Sequence, residues 1–423
     1  MARIYVKNEE TVIGCWFLAG LRGTIFRINP PITNNQRPTT VYPQSLDNVP
    51  VWDDRTWRTL APLDSDLSTE VCVIGLGGSG LTAVSELLDL GRRVVGIDAD
   101  DVAAGAAGRN GGFLLGGTVD FHHDAVAAIG RARALRLHEL TLEEIHRIAG
   151  QAPGTVRFPG SLRIAGSDEE FTDCARQRDA MRADGIPVED YAGQFGRGLF
   201  FPGDATFNPL ARCRALALRD IAGGARLFAR TRALSFSANE VVTTGGRIRC
   251  ERVIVAVDGR LESLVPELAG TVRTARLQML ATAPTREIDI PCPVYARYGF
   301  DYYQQLPDGS VALGGGRDKA FDEEWTTANE PTAFVQQYLE SVLREQLHVT
   351  APITHRWAAN VSYTLNGLPV LAELRPGTWV IGGYCGTGNA VGALCGRAAA
   401  RLASGDSSEF ARLLVNAGTP ETH

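Results

Sequence analysis

The chain has 423 residues, 44% hydrophobic and 21% charged, which is enough for a large two-domain protein with a sizeable core. Its formal charge of −6 argues against nucleic acid as a main partner, and no apolar run reaches the length of a membrane span. The eight cysteines include no C-x-x-C pair and the seven histidines have no ligand spacing, so a disulfide scaffold and a metal centre are excluded and reduced thiols in the cytoplasm are expected.

Thr11 to Leu21 is an apolar patch, but Glu9 and Glu10 precede it and no clean small-residue cleavage site follows, which argues against a secretory signal. Asn29 to Pro43 is rich in Pro, Asn and Thr, so residues 1–45 are expected to form a flexible extension. Ser45 to Ser68, with Trp52 and Trp57, reads as an arm leading into the first strand. Glu70 to Gly80, EVCVIGLGGSG, then combines a β-branched run suited to a buried parallel strand with the G-x-G-x-x-G spacing of Gly75, Gly77 and Gly80. Gly75 permits the tight turn, Gly77 lets backbone approach a pyrophosphate, and Gly80 lets the following helix, Leu81 to Leu90, pack on the strand. Phosphates are favoured at such a helix N-terminus by its free N–H groups and dipole. Arg93 to Ile97 reads as the next strand, and Asp98, 18 residues beyond Gly80, stands where a carboxylate binds ribose hydroxyls. No arginine follows to receive a 2′-phosphate, so NADP is disfavoured.

Further on, Ala125 to Ala149 has helical periodicity. Thr155 to Gly166 and Gly198 to Phe207 carry short strands around a helix at Asp168 to Asp184. Asn208 to Gly223 reads as a helix, and Arg226 to Phe236, Glu240 to Thr244 and Arg247 to Arg249 as strands. Arg252 to Val257 returns as a buried parallel-type strand ending in Asp258-Gly259. Strand patterns at Val272 to Thr282, Phe300 to Leu306 and Ser310 to Gly314 precede a helix at Pro331 to Leu347. Trp379 to Ile381 and a glycine-rich turn from Gly382 open the last helix. The expected fold is α/β (α+β): a Rossmann-like dinucleotide-binding domain in three segments, 46–125, 200–268 and 350–410, interleaved with a mostly antiparallel substrate domain, 126–199 and 269–349, and a tail at 411–423.

Four of these segments together resemble the FAD-dependent amine and D-amino-acid oxidoreductase (DAO) superfamily over residues 45–405. They are the GLGGSG turn with Asp98; Ala106 to Gly112, AAGRNGG; Val253 to Gly259, VIVAVDG; and Gly382 to Gly392, GGYCGTGNAVG. The resemblance implies FAD rather than NAD. It places Gly75, Gly77, Gly78, Ser79, Gly80, Asp98, Ala99, Gly108, Arg109, Asn110, Gly111 and Gly112 along the cofactor, together with Ala256, Gly259, Gly383, Gly386, Thr387, Gly388 and Asn389. A flat three-ring cofactor needs close backbone approach, which glycine permits. For Arg109 two readings stand, flavin contact or a surface salt bridge. Cys385 reads as a small packing residue, and His122 and His123 as helix-start or surface residues.

The same resemblance sets expectations for the substrate. Phe300 to Gly309 is similar to a strand and hairpin whose aromatic side chains face the flavin. Neighbouring strand residues point to opposite sides, so only one of Tyr302 and Tyr303 is expected to face inward. In amino-acid-oxidising relatives, the segment matching Trp357 to Thr364 reads W-x-G-L-R-P-x-T, and its arginine pairs with the substrate carboxylate. Here Val361 holds that place, so the bidentate clamp is missing from its usual position. Trp357 and Asn360 are pocket candidates with no acid or base role assigned. The remaining pattern is similar to the gamma-glutamylputrescine oxidoreductase-like branch. The implied activity is oxidation of a CH–NH2 or CH–NH donor by hydride transfer to flavin N5. The implied substrate is a small primary amine or an amino compound with a remote carboxylate. The alternative is an α-amino-acid (glycine, sarcosine or D-amino-acid type) oxidase or dehydrogenase, with Arg297 or Arg317 as the relocated clamp. Sarcosine-oxidising relatives attach the flavin through a cysteine near position 361, so noncovalent FAD is expected with Val361 there. Some relatives set a lysine over the flavin to promote reaction with oxygen, and Lys319 is the candidate. The electron acceptor, oxygen or another carrier, turns on where Lys319 points.

Overall fold

The computed structural model describes residues 48–415, so the expected extension at 1–45 and the end of the tail, 416–423, lie outside the described residues. Val71–Ile74 is buried at all four positions, as a strand covered on both faces must be. It is the centre of a six-stranded sheet in the order Arg226–Phe228, Val94–Ile97, Val71–Ile74, Arg252–Val255, Thr378–Gly382, Val370–Arg375. The first five strands run parallel, and the last is an antiparallel edge. Helices Gly78–Asp89, Pro209–Ala222 and Val391–Ala403 supply side chains to the core over this sheet. The first and last cross closely, because a side chain at Gly396 would meet the Ser79 carbonyl oxygen at 2.2 Å.

A second, eight-stranded sheet has the order Ile353–Thr364, Val272–Thr282, Val311–Gly315, Asp301–Gln305, Val294–Ala296, Ser161–Ile164, Gly196–Phe201, Glu189–Gly193. All its pairings are antiparallel except that of Val294–Ala296 with Ser161–Ile164. One face packs on helix Ala333–Ser341 through Leu280, Leu313, Tyr303, Leu339 and Leu343. The other carries Met279, Tyr302 and Trp357 toward the nucleotide-binding half.

Two expected boundaries shift. Ile353–Thr364 belongs to the eight-stranded sheet rather than to the nucleotide segment starting at 350, because it pairs along almost all of Val272–Thr282. Gly196–Phe201 likewise stays in that sheet across the expected break at 199/200. The single strand expected at Arg226 to Phe236 divides in two. Arg226–Phe228 joins the parallel sheet, Arg230 turns the chain at φ 48°, and Ala233–Phe236 enters a small four-stranded sheet. No helix among the described residues is long and apolar enough to cross a membrane.

Candidate active site: a dinucleotide cavity joined to a deep substrate cavity

The Val71–Ile74 strand ends at Gly75, with φ 107°, where a side chain would collide with the Ala256 carbonyl at 2.6 Å. The next helix starts at Gly77 with no side-chain cap and no acid in its first turn, which leaves its first N–H groups for an anion. These residues open onto a cavity of about 420 Å³, also lined by Asp98, Ala99, Ala256, Gly259 and Gly388. Asp98 accepts hydrogen bonds from Leu76 N at 2.8 Å and Asp100 N at 2.9 Å, which fixes the acid beside the glycine turn.

Arg212 fits the cavity to a phosphate-bearing cofactor. It is 2% exposed, projects from Pro209–Ala222 beside Gly78, and donates from Nη2 to Thr82 at 3.1 Å, while its Nε has no partner. A buried guanidinium that forms no ion pair among the described residues, beside a helix N-terminus, is what a pyrophosphate would neutralise. Sequence reading missed this residue. Its signal was its place among Leu210, Cys213, Leu216 and Ala217 on the buried side of an Asn-capped helix. Asp258 was also missed. Its carboxylate accepts from Ser362, Gly383 and Tyr384 N–H groups, joining the parallel sheet to the C-terminal turn.

Burial pushes the Asp98 carboxyl up to about 6, against the pull of its two N–H donors. As a carboxylate it would accept from the ribose hydroxyls of a bound dinucleotide; the protonated acid would lose an acceptor site. FAD retention is therefore expected to weaken as pH falls through about 6, and dialysis at a series of pH values, read by visible flavin absorbance, checks it.

At the mouth of this cavity Asn110 and Asn389 exchange amide hydrogen bonds at 3.1 Å, and both also line a second cavity of about 230 Å³. Gly386, with φ 91°, and Val361 face both cavities as well. This shared wall is where a flavin ring joined to the nucleotide would separate them. Gly111 and Thr387 line the second cavity, whereas Gly80, Gly108, Gly112 and Gly383 line neither and serve close packing instead.

The sequence-derived pocket residues separate sharply. Tyr302 lines the second cavity, with its ring lying against Gly314 and reaching Gly111. Tyr303 does not: it is buried on the opposite face of the sheet, 5.9 Å from the ring of Phe195. Trp357 is fully buried in the core and donates its indole N–H to the Arg109 carbonyl at 2.8 Å, so it supports the loop rather than the pocket. Asn360 points to the nucleotide side, and its amide donates to the Thr326 and Ala328 carbonyls. Arg109 is neither a surface ion pair nor a free guanidinium, because its nitrogens bond the Ala358 carbonyl and Asn48 at 2.6–2.7 Å. Lys319 turns to Asp318 at 3.2 Å and to the Tyr338 ring, is 38% exposed, and lines neither cavity. Arg297 is engaged by Asp301 and Asp318. Arg317 is different. It is buried against the rings of Phe300, Phe321, Trp325 and Tyr363 at 4.7–5.9 Å, with neither terminal nitrogen hydrogen-bonded.

Residues 70–402 match the family model described as DAO, FAD dependent oxidoreductase. The chain belongs to the DAO family. This FAD-dependent oxidoreductase is 28% identical over 369 residues to a probable oxidoreductase OrdL of Rhizobium meliloti, covering 81% of this chain and 84% of that protein. It is 26% identical over 375 residues to gamma-glutamylputrescine oxidoreductase of Escherichia coli, covering 82% and 86%. The DAO enzyme also shares its fold with glycine oxidase from Geobacillus kaustophilus, at TM-score 0.67 and 18% identity over 81% of this chain and 96% of that one. L-proline dehydrogenase from P. horikoshii superposes equally well, at TM-score 0.67, 19% identity and coverage of 82% and 96%.

Proposed function

We propose that the enzyme oxidises the C–N bond of a small primary amine, or of an amino compound whose carboxylate is remote from the reacting carbon. The observation that carries this reading is the uncharged near end of the substrate cavity. Val361, Ala359, Tyr302 and Phe113 face it, and the guanidinium of Arg109 is engaged by Ala358 and Asn48. FAD held along the glycine turn, Asp98 and the wall of Asn110, Gly386 and Asn389 would supply the hydride acceptor for the substrate carbon and a route for the electrons to an acceptor. An amine entering this end sheds water, which lowers its pKa and supplies the neutral amine without a dedicated base. Tyr302 and Phe113, edge to face at 6.2 Å, give it a rigid wall to be aligned against. The activity named for the Escherichia coli relative is in line with this substrate class. FAD is proposed to be held noncovalently, since Val361 offers no thiol, and the acceptor to be a carrier other than oxygen, since Lys319 faces away.

Anaerobic mixing with primary amines, N-methyl amino acids and free α-amino acids tests the reading through bleaching of the flavin absorbance. Bleaching by amines is expected. On exposure to air the colour should return more slowly than with an added quinone. Bleaching by short α-amino acids alone would overturn the reading in favour of a second one, α-amino-acid oxidation. Arg317 is the observation behind that second reading, because its terminal nitrogens are unpaired and Tyr363, whose ring it covers at 4.7 Å, lines the cavity. In that case Arg317→Gln would raise the α-amino-acid concentration needed for bleaching far more than that of a simple amine.

A further inference from the structure

The substrate cavity does not end at the flavin wall. Arg163, Gln177, Asp120 and Tyr295 also line it, and none of them lines the nucleotide cavity. Arg163 rises from Ser161–Ile164, inside the eight-stranded sheet, and its guanidinium carbon lies 4.1 Å from the Phe121 ring centroid and 5.0 Å from that of Tyr295. Both rings lie within cation–π range of the guanidinium. Gln177 Oε1 accepts from Nη1 at 2.8 Å, and Nε is buried with no hydrogen-bond partner. Among the described residues Arg163 forms no ion pair.

The acids around it are committed elsewhere. Asp204 accepts from Ser161 Oγ and Gly116 N, Glu170 from the N–H groups of Gly166 and Tyr298, and Asp173 pairs with Arg176. Asp184 pairs with His122 and Arg131, and Asp124 meets His123 at 3.5 Å through Oδ1 while its buried Oδ2 has no hydrogen-bond partner. Asp120 lines the cavity and has no hydrogen bond or ion pair among the described residues. Its carboxyl is pushed up to about 6 by burial and by Asp124, while Arg163 pulls it down, so the two side chains share one field.

A cation beside two rings and an unpaired carboxylate, both lining one cavity, offer two complementary charges to a ligand. A guanidinium in this position pairs with a carboxylate through parallel N–H donors, and a carboxylate receives an ammonium. Neither group lines the wall shared with the nucleotide cavity, so both are placed to read a part of the substrate that does not react. Binding energy from such a remote group orients the reacting carbon.

We propose that Arg163 and Asp120 form a distal recognition site for a zwitterionic end group, so that the substrate is an alkyl amine carrying an α-amino-acid-like ammonium and carboxylate at the end opposite the oxidised amine. This rests on the amine reading above and narrows its substrate class. Arg163 and Asp120 act as binding and specificity residues.

Three matched probes separate the two charges: L-lysine, 6-aminohexanoate, which lacks the distal ammonium, and 1,5-diaminopentane, which lacks the carboxylate. Gamma-glutamylputrescine extends the comparison to a longer zwitterion. The holoenzyme's anaerobic bleaching is followed with each, and mass spectrometry of the product shows which amine was lost. A zwitterionic probe is expected to bleach at the lowest concentration and to lose its terminal amine. Arg163→Gln should raise the half-bleaching concentration of the carboxylate-bearing probes about 100-fold more than that of 1,5-diaminopentane. Asp120→Asn should act against the probes with a distal ammonium and spare 6-aminohexanoate by comparison. Retained FAD content and melting temperature show that each variant is folded, and Arg163→Lys, which keeps the charge but loses the planar fork, replaces the glutamine variant if that one does not fold. A wild-type enzyme without preference for a zwitterion, or an Arg163 variant that shifts all probes alike, overturns the distal site. Bleaching by no amine of any kind would instead sink the amine reading itself.

Discussion

Gly80→Ala is expected to give a protein that retains no FAD. A side chain there would place its first carbon 1.9 Å from the Gly75 carbonyl oxygen and 3.0 Å from the carbonyl carbon, with the Ala256 methyl at 3.3 Å on the other side. Both closest atoms are backbone of the turn that presents the first helical N–H groups to the nucleotide cavity, so no side-chain rotation relieves the overlap. Either the helix moves out from the strand or the turn opens, and in both cases the phosphate cradle loses its geometry. The cost of forcing the contact is on the order of 4 kcal/mol or more. The measurement is the ratio of flavin to protein absorbance after gel filtration, with circular dichroism to show the state of the fold. The specificity of the argument lies in a nearby contrast. At Gly91, in the turn that follows the same helix, a side chain would meet nothing within 4 Å, and only the φ of 71° restricts the position. Alanine there meets backbone strain of about 1 kcal/mol and no collision.

The nucleotide half was legible because its signals are local. A β-branched run, three spaced glycines and Asp98 all lie within about thirty residues, and Gly75 and Gly80 each answer to a backbone contact that a side chain would break. The substrate half was less legible because its signals are matters of register. The sequence allowed only one of Tyr302 and Tyr303 to face the flavin. Choosing between them required the pairing of Tyr302 with Gly314, which leaves room for a ring lying flat on the sheet. Trp357 and Asn360 lie on a strand whose facing is set by its pairing with Val272–Thr282, more than seventy residues away in sequence. Val361 lines both cavities, but the motif that drew attention to it said nothing of Arg163 or Asp120. Those two are joined only by the fold, through a parallel contact between Ser161–Ile164 and Val294–Ala296 that brings Tyr295 beside Arg163. Lys319 failed as a flavin neighbour because Gly316, with φ 68°, turns the chain away just before it and Asp318 holds the ammonium outside.

Glu324→Ala is expected to destabilise the substrate domain by about 3–5 kcal/mol, the range for leaving one partner of a buried ion pair alone. Arg276 and Glu324 are 6% and 1% exposed, and the guanidinium meets the carboxylate through two contacts, Nε to Oε2 at 3.0 Å and Nη2 to Oε1 at 2.8 Å. Gln278 adds a third donor at 2.9 Å, and the Arg276 N–H donates to the Glu324 carbonyl at 2.7 Å. These bonds fasten the segment after Val311–Gly315 onto the Val272–Thr282 strand. The same segment carries Trp325, one of the rings around Arg317, and the Thr326 and Ala328 carbonyls that hold Asn360. Removing the carboxylate strands a buried guanidinium and frees this wall together. The double variant Arg276→Met with Glu324→Ala removes the stranded charge and should recover much of the loss, whereas a pair acting only as a surface contact would show additive effects. Thermal release of FAD, followed by flavin fluorescence in the single and double variants, reads the difference. A Glu324→Ala enzyme that melts with the wild type would mean that water reaches Arg276, and the wall around Arg317 would then be held by ring packing rather than by charge.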